Sequence, residues 1–152
     1  MSETVLANAR VVLADEVVEG AVAFDDSGIT RVTDVPPGVS GAIDLGGDYL
    51  LPGLIEMHTD NVERHMEPRP GVHWPSPLAA LIAHDTQMVG AGVTTVLDAL
   101  SVGDYQQGGR RRAMLARVVG ALEEGRALGA FRAEHFLHCL LYTSPSPRDL
   151  AV

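Results

Sequence analysis

One short apolar stretch that ends in metal-binding types of side chain constrains this chain more than any other feature. Pro52-Gly53 breaks the backbone, and residues 54–57 then predict a buried strand. His58 and Asp60 follow two residues apart, so they project from the same face of the strand end. An imidazole nitrogen beside a carboxylate oxygen is a half-site for a divalent metal, whereas the plain alternative is a solvated strand end.

The elements after this strand alternate in type. Residues 61–75 predict a polar loop, and Ser76-Pro77 predicts the start of a helix that ends at Gly90. The pattern then predicts a strand, a helix and a strand, at residues 93–98, 110–128 and 131–138. The order β-α-β-α-β with short connections predicts parallel strands and right-handed crossovers.

The N-terminal residues carry a different pattern. From Glu3 to Val35 short apolar runs alternate with the turn signal Asp25-Asp26-Ser27-Gly28. This pattern predicts a small β meander or half of a β-sandwich.

Composition excludes several classes of function. The chain has 152 residues, fewer than the ~250 of a complete (β/α)₈ barrel. Its net charge of −9 argues against nucleic-acid and anionic-membrane surfaces, although a local Arg cluster would still bind an anion. No apolar run reaches the ~18 residues of a membrane span, and the one cysteine fits a reducing compartment. We expect a cytoplasmic chain that binds neither nucleic acid nor membrane.

Several segments together resemble one known family. Pro-Gly-Leu-Ile-Glu-Met-His at 52–58 resembles the first barrel strand of the amidohydrolase superfamily, with Asp60 in place of the second His of the usual His-x-His. The continuation from His58 to His65 resembles the PhnM subgroup of phosphonate metabolism, the α-D-ribose 1-methylphosphonate 5-triphosphate diphosphatases. Residues 83–85, 92–99 and 132–138 extend this resemblance, which covers nearly everything up to about His138.

The resemblance implies a fold and its division. Residues 1–49 would form a small, incomplete β-sandwich domain, and residues 50–139 the first β/α units of an amidohydrolase-type (β/α)₈ (TIM) barrel, truncated. Residues 140–152 depart from the family pattern and contain two prolines without apolar periodicity. We interpret the chain as an N-terminal fragment with a non-native, poorly packed tail.

The resemblance also implies a metal site. His58 and Asp60 are the expected ligands of a divalent metal, Zn, Mn or Mg. Asp98 and His138, at the later strands, are the expected catalytic residues. Capping of a helix or a turn is an equal alternative for Asp98. For His84 we expect a position on the helix surface or a hydrogen bond from helix to barrel, with a catalytic role as the alternative.

The loop after the ligands is expected to bind the substrate, through Asn61, Arg64, His65 and Arg69. Guanidinium groups clamp phosphoryl oxygens, so Arg64 and Arg69 suit a phosphate chain. A turn-closing Asn and solvated arginines paired with Glu63 and Glu67 are the alternatives.

The activity implied is hydrolysis of an anionic ribose triphosphate phosphonate ester to the 5-phosphate and diphosphate. The implied partners are carbon–phosphorus lyase pathway proteins, and a homo-oligomer is compatible with the resemblance. The alternatives are a general amidohydrolase of cyclic amides or imides, and a catalytically inactive truncated fragment.

Overall fold

The computed structural model describes residues 3–33, 40–101 and 110–140 of the chain. The chain divides into two compact units, Met1–Pro52 and Gly53–Val152. The expected tail at 140–152 lies outside the described residues, except for Leu140 at the end of the last strand.

The first unit is a five-stranded sheet in the order β3-β2-β1-β4, with β5 also paired to β1. Its strands are β1 Thr4–Val12, β2 Val17–Asp25, β3 Gly28–Thr33, β4 Ile43–Asp44 and β5 Tyr49–Leu50. β1, β2 and β3 pair antiparallel, as the meander prediction requires, whereas β4 and β5 pair parallel to β1. Alternation buries Ala9, Val11 and Val22 together as the core of this sheet.

The second unit has the β-α-β-α-β order predicted from sequence, with one additional short helix. Its elements are β6 Leu54–Thr59, α1 Asn61–Met66, α2 Pro77–Gly90, β7 Val93–Ser101, α3 Arg110–Ala127 and β8 Glu134–Leu140. The three strands form a parallel sheet in the order β6-β7-β8. The mixed α/β class is therefore confirmed, while closure into an eight-stranded barrel stays a prediction.

The additional helix corrects the prediction of a polar loop at 61–75. The first six residues of the predicted loop form α1. Val62 and Met66 lie four residues apart on one face of this helix, and they are buried in one cluster with Leu81 of α2 and Leu122 of α3. The helix has six residues and only one pair of buried apolar side chains, so the sequence shows no helical periodicity there. α1 follows Asp60 directly and fixes the backbone there.

The start and end of α2 are as predicted. Ser76 caps the helix by accepting a hydrogen bond of 3.2 Å from the backbone N–H of Ala79, and Pro77 is its first residue. The helix ends at Gly90, and Gly92 adopts a φ of +81° that favours glycine at the turn into β7.

The prediction that 54–57 is a buried strand is wrong for its apolar side chains. Leu54, Ile55 and Met57 are 58%, 62% and 72% exposed. The helices of the unit bury the side of the sheet that carries Val96 and Leu100, and the described residues place no layer over these three.

No helix in the part of the chain that the structure describes is long and apolar enough to cross a membrane.

Candidate functional site

His58 lies close to both Asp60 and His138 at the carboxyl end of the parallel sheet. His58 is the last residue but one of β6, and Asp60 is the residue that precedes α1. The distance from His58 Nε2 to Asp60 Oδ1 is 3.9 Å, and the ring centroids of His58 and His138 are 5.5 Å apart. The two side chains approach each other as predicted, but Asp60 lies one residue beyond the end of β6 and not on the strand.

A second polar cluster lies on the helix-covered side of the sheet and is fully buried. Asp98, on β7, receives hydrogen bonds of 2.8 Å from His84 Nε2 of α2 and from His135 Nδ1 of β8. Each of its two carboxylate oxygens accepts a hydrogen bond from one of the two imidazoles. Of the two roles expected of His84, a surface position and a hydrogen bond from its helix to the sheet, the structure shows the hydrogen bond, from α2 to β7.

Asp85, which the sequence places on the apolar stripe of α2, completes this cluster. Its carboxylate accepts hydrogen bonds from the backbone N–H groups of Arg132, at 3.0 Å, and Ala133, at 2.9 Å. It also lies 3.3 Å from His135 Nε2. His135 is thus held between two carboxylates. The cluster ties α2 to both β7 and β8.

The charges in the buried cluster shift two pKa values. Burial alone would raise the pKa of Asp98, but hydrogen bonds from His135 and His84, and their charges, hold it below the ordinary value. Burial alone would lower the pKa of His135, but Asp98 and then Asp85 raise it above the ordinary value. The two groups therefore stabilise each other in their charged forms.

His84, Asp98 and His135 form a group that could hold a metal ion, since one ligand atom of each lies within 4.8 Å of the others. Two ligand atoms of a tetrahedral ion are roughly 3.4 Å apart, given metal–ligand bonds of ~2.1 Å. The 2.8 Å contacts to Asp98 have hydrogen-bond length instead. A hydrolytic metal also needs an open position for water, which these side chains, at most 3% exposed, do not offer.

The pair His58 and Asp60 has the opposite geometry. Its 3.9 Å separation is longer than a hydrogen bond and close to the roughly 3.4 Å spacing of ligand atoms around one ion. The side chains of His58 and Asp60 are 46% and 67% exposed, so water and substrate reach them. The chemistry and spacing of these donors fit a divalent metal, although their ligand role stays a prediction.

The position predicted for Asp98 is wrong, although its catalytic role is a separate question and stays a prediction. Asp98 was expected where β7 meets its loop, but the strand continues to Ser101 and the carboxylate is fully buried toward α2. In the sequence the apolar run 93–98 stops at this charged residue. In the structure two histidines pair with the carboxylate, and the strand continues past it. This geometry suits a residue that positions the sheet. His138, by contrast, lies at the open edge beside His58.

The four expected substrate-binding residues lie on α1 and just after it. Asn61 begins α1, and its carbonyl accepts a hydrogen bond of 2.8 Å from His65 Nδ1. His65 is half-buried, and its ring lies 5.2 Å from the ring of His84. Arg64 and Arg69 are exposed. Their contacts with substrate stay a prediction.

Sequence reasoning assigned no role to His135, the residue at the centre of the buried cluster. The signal that could have found it was a combination: a carboxylate on the apolar stripe of α2, a second on β7, and a histidine at an inward position of β8. Buried carboxylates need partners, and histidines are the polar side chains in reach.

Comparison with known proteins first defines the class of fold. No protein-family model matches the chain. A D-hydantoinase of known structure shares 19% sequence identity and aligns over 91% of this chain and 27% of its own, with a TM-score of 0.53. At that identity the likeness shows the fold alone, which the chain shares with the aligned part of the D-hydantoinase.

A sequence relative narrows the class further. Alpha-D-ribose 1-methylphosphonate 5-triphosphate diphosphatase from Escherichia coli (strain K12) is 42% identical over 134 residues, or 88% of this chain. The resemblance to the PhnM subgroup is therefore confirmed. The chain spans about a third, 35%, of that relative's length.

Proposed function

We propose that this chain is the N-terminal part of a metal-dependent hydrolase of phosphonate catabolism. The complete protein would hydrolyse α-D-ribose 1-methylphosphonate 5-triphosphate to the 5-phosphate and diphosphate. The observation that carries the proposal is the 42% identity, over 88% of the chain, to a relative named for that activity. The substrate class, the carbon–phosphorus lyase pathway partners and a cytoplasmic location are part of the proposal.

The exposed side of the parallel sheet supports a larger barrel around these strands. Ile55 and Met57 of β6 and Phe136 of β8 are 62%, 72% and 49% exposed. Burying such surface stabilises a protein by about 25 cal/mol per Å², so a finished fold covers it. Further β/α units that close a (β/α)₈ barrel would supply that cover, with residues 1–49 forming part of a β-sandwich.

His58 and Asp60 would hold the metal in this proposal. When bound, a divalent ion lowers the pKa of its water toward ~7 and so supplies hydroxide at neutral pH. The carboxylate adds a hard oxygen donor to the imidazole nitrogen, a set that Zn and Mn accept and that Mg accepts less readily.

The remaining residues of this edge would bind the substrate. The exposed guanidinium groups of Arg64 and Arg69 would contact the triphosphate, whose charge a chain of net −9 otherwise repels. Asn61 and His65, joined through the Asn61 carbonyl, would orient the start of α1 against the ribose phosphate. On the opposite side of the sheet, Asp98 would position β7 through His84 and His135.

The test is product analysis with the full-length protein, obtained by extending the reading frame beyond His138. We expect diphosphate release from the ribose 5-triphosphate ester, and loss of that release when the metal is chelated. Release of orthophosphate alone would contradict the bond assignment. Ring opening of a cyclic amide or imide without diphosphate release would support the general amidohydrolase alternative.

Two substitutions separate metal binding from substrate binding. Asp60→Ala should reduce metal content and turnover together, because a ligand serves both. Arg69→Ala should spare metal content and weaken transition-state binding by about 3 kcal/mol, a typical loss for one such donor. Full metal content and full activity in Asp60→Ala would show that Asp60 is not a ligand.

The isolated 152-residue chain should be inactive in this assay, because the proposed barrel is incomplete. Turnover by the isolated chain at the full-length rate would refute the proposed truncation.

A further inference from the structure

The buried cluster contains a side-chain atom that has no hydrogen-bond partner among the residues that the structure describes, His84 Nδ1. We propose that His84 is a positioning residue for His65: one bound water molecule joins His84 Nδ1 to His65 Nε2 and so fixes the start of α1. The inference rests on the proposed function, in which α1 carries substrate-binding residues. It extends that function from the edge of the sheet into the buried cluster.

The tautomer of His84 follows from its contact with Asp98. The pKa of Asp98 is lowered, so its carboxylate is ionised and only accepts hydrogen bonds. His84 Nε2, which lies 2.8 Å from Asp98 Oδ1, therefore carries a hydrogen. In the neutral ring this leaves Nδ1 as an acceptor, and the whole side chain is 0% exposed. A buried acceptor without a donor is destabilising, and native proteins rarely leave one unpaired.

His65 has the same arrangement with its nitrogens exchanged. Its Nδ1 lies 2.8 Å from the carbonyl oxygen of Asn61, an atom that only accepts, so Nδ1 carries the hydrogen and Nε2 is the acceptor. The rings of His65 and His84 have centroids 5.2 Å apart and planes inclined by 58°, and no direct hydrogen bond joins them. Two acceptors cannot bond to each other, whereas one water molecule donates two hydrogen bonds and serves both.

The apolar core keeps these two rings together. Val62 and Met66 of α1 lie in one buried cluster with Leu81 of α2. His65 lies three residues after Val62, and His84 lies three residues after Leu81, so each histidine continues the packed face of its helix. The contact between the rings is therefore a consequence of the same packing that holds α1 against α2.

The water completes a line of polar contacts from the sheet edge to the buried cluster. The line runs from the Asn61 carbonyl through His65, the water and His84 to Asp98. Asn61 begins α1 and directly follows Asp60. The effect of His84 on substrate is thus indirect, because His84 holds His65 and, through it, the backbone beside the expected substrate site.

The test separates the two nitrogens of His84 with two substitutions in the full-length protein. His84→Gln places its amide where Nε2 lies, so it retains a donor for Asp98 and removes Nδ1. His84→Asn places its amide where Nδ1 lies, so it retains a partner for the water and loses the bond to Asp98. The two variants therefore remove opposite ends of the same ring.

The expected results for the two variants are opposite. His84→Gln should weaken the binding of inorganic triphosphate about threefold to tenfold, as expected for one hydrogen bond, with little change in the urea midpoint. His84→Asn should lower the urea midpoint and change triphosphate affinity less than about twofold. The control Gln87→Ala, at an exposed position of α2, should change neither. Parallel losses of affinity and stability in both histidine variants would make the role of His84 purely structural and overturn the inference.

Two measurements on the wild-type full-length protein keep the inference testable if a variant fails to fold. A crystal structure should show a water molecule within about 3.2 Å of both His84 Nδ1 and His65 Nε2. Long-range ¹⁵N NMR at mildly alkaline pH should show hydrogen on His84 Nε2 and His65 Nδ1, with the other nitrogen of each ring shifted as a hydrogen-bond acceptor. A direct contact between the two nitrogens, or hydrogen on His84 Nδ1, would overturn the inference.

Failure of the inference and failure of the proposed function give different results. If the water and the tautomers are found and the full-length protein releases no diphosphate, the proposed function fails while the link between His84 and His65 stands. If diphosphate is released and triphosphate binds equally to the wild type and a folded His84→Gln protein, the proposed function stands and the positioning role fails.

Discussion

At the scale of single residues, Asp98 connects three elements of the second unit. Its carboxylate joins α2 through His84 and β8 through His135, while its own strand lies between them. Burying a carboxylate costs several kcal/mol unless hydrogen bonds and charge offset the cost. Asp98 meets that condition with two imidazoles.

Replacing Asp98 should therefore be strongly destabilising. In Asp98→Asn one carboxylate oxygen becomes an NH₂ group that faces an imidazole N–H, and His135 loses a charged partner. We expect a loss of about 3–5 kcal/mol in the free energy of unfolding, measured by urea denaturation. The control Glu124→Gln, on an exposed position of α3, should change it by less than about 0.5 kcal/mol. A loss below about 1 kcal/mol in Asp98→Asn would show that the cluster contributes little.

At the scale of elements, the contact between α3 and β8 depends on a glycine. A Cβ atom at Gly125 would overlap the ring of Phe131, which precedes β8. The glycine thus lets the helix approach the segment that enters the strand. Phe131 in turn packs on the core of Leu81, Leu100 and Leu122 and contacts the ring of His135 at 5.1 Å.

Gly125→Ala should destabilise the second unit, because Phe131 must move away from the helix. We expect a loss of about 1–3 kcal/mol, the usual range for overpacking. Gly120 of the same helix is the matched control, since a Cβ there meets nothing within 4 Å. Gly120→Ala should stabilise by about 0.5–1 kcal/mol through helix propensity alone. Thermal unfolding of the two variants checks the pair, and equal effects of the same sign would contradict the overlap.

The comparison of these elements with the sequence shows which physical signals a chain displays by itself. The β-α-β-α-β order and the cap at Ser76 were predictable, because periodicity and capping are local. The approach of His58 and Asp60 was predicted from strand alternation, although Asp60 lies one residue beyond the strand. The sequence did not predict α1, because one buried pair, Val62 and Met66, gives no helical period. It placed the end of β7 too early, because the partners of Asp98, His84 and His135, are 14 and 37 positions away in the sequence.

At the scale of the whole molecule, the chain contains two sheets of different construction. The first unit is mostly antiparallel and carries no member of the clusters discussed above, among the residues described. In the second unit the buried cluster and the open edge lie on opposite sides of one parallel sheet. The stability of that unit therefore depends on the protonation of groups that are not the expected metal ligands.

The free energy of unfolding should accordingly depend on pH through the buried cluster. The pKa of Asp98 is lowered, so its contribution is present above its unfolded value of ~3.9 and is lost as pH falls through the lower folded pKa. The pKa of His135 is raised, so its contribution is present below ~6.5 and is lost as pH rises through the higher folded pKa. The stabilisation from the pair should be largest between about pH 4 and pH 6.5.

The measurement is urea denaturation from pH 3 to pH 9, with the wild type compared with His135→Gln at each pH to remove the contribution of other groups. The difference between the two proteins should be greatest within the window and should shrink as the solution becomes more alkaline, because His135 then loses its charge in the wild type as well. A difference that stays constant across the range would mean that the pKa of His135 is the same in the folded and the unfolded protein. A difference that grows with pH would mean that the pKa of His135 is lowered by folding, the opposite of the direction expected here.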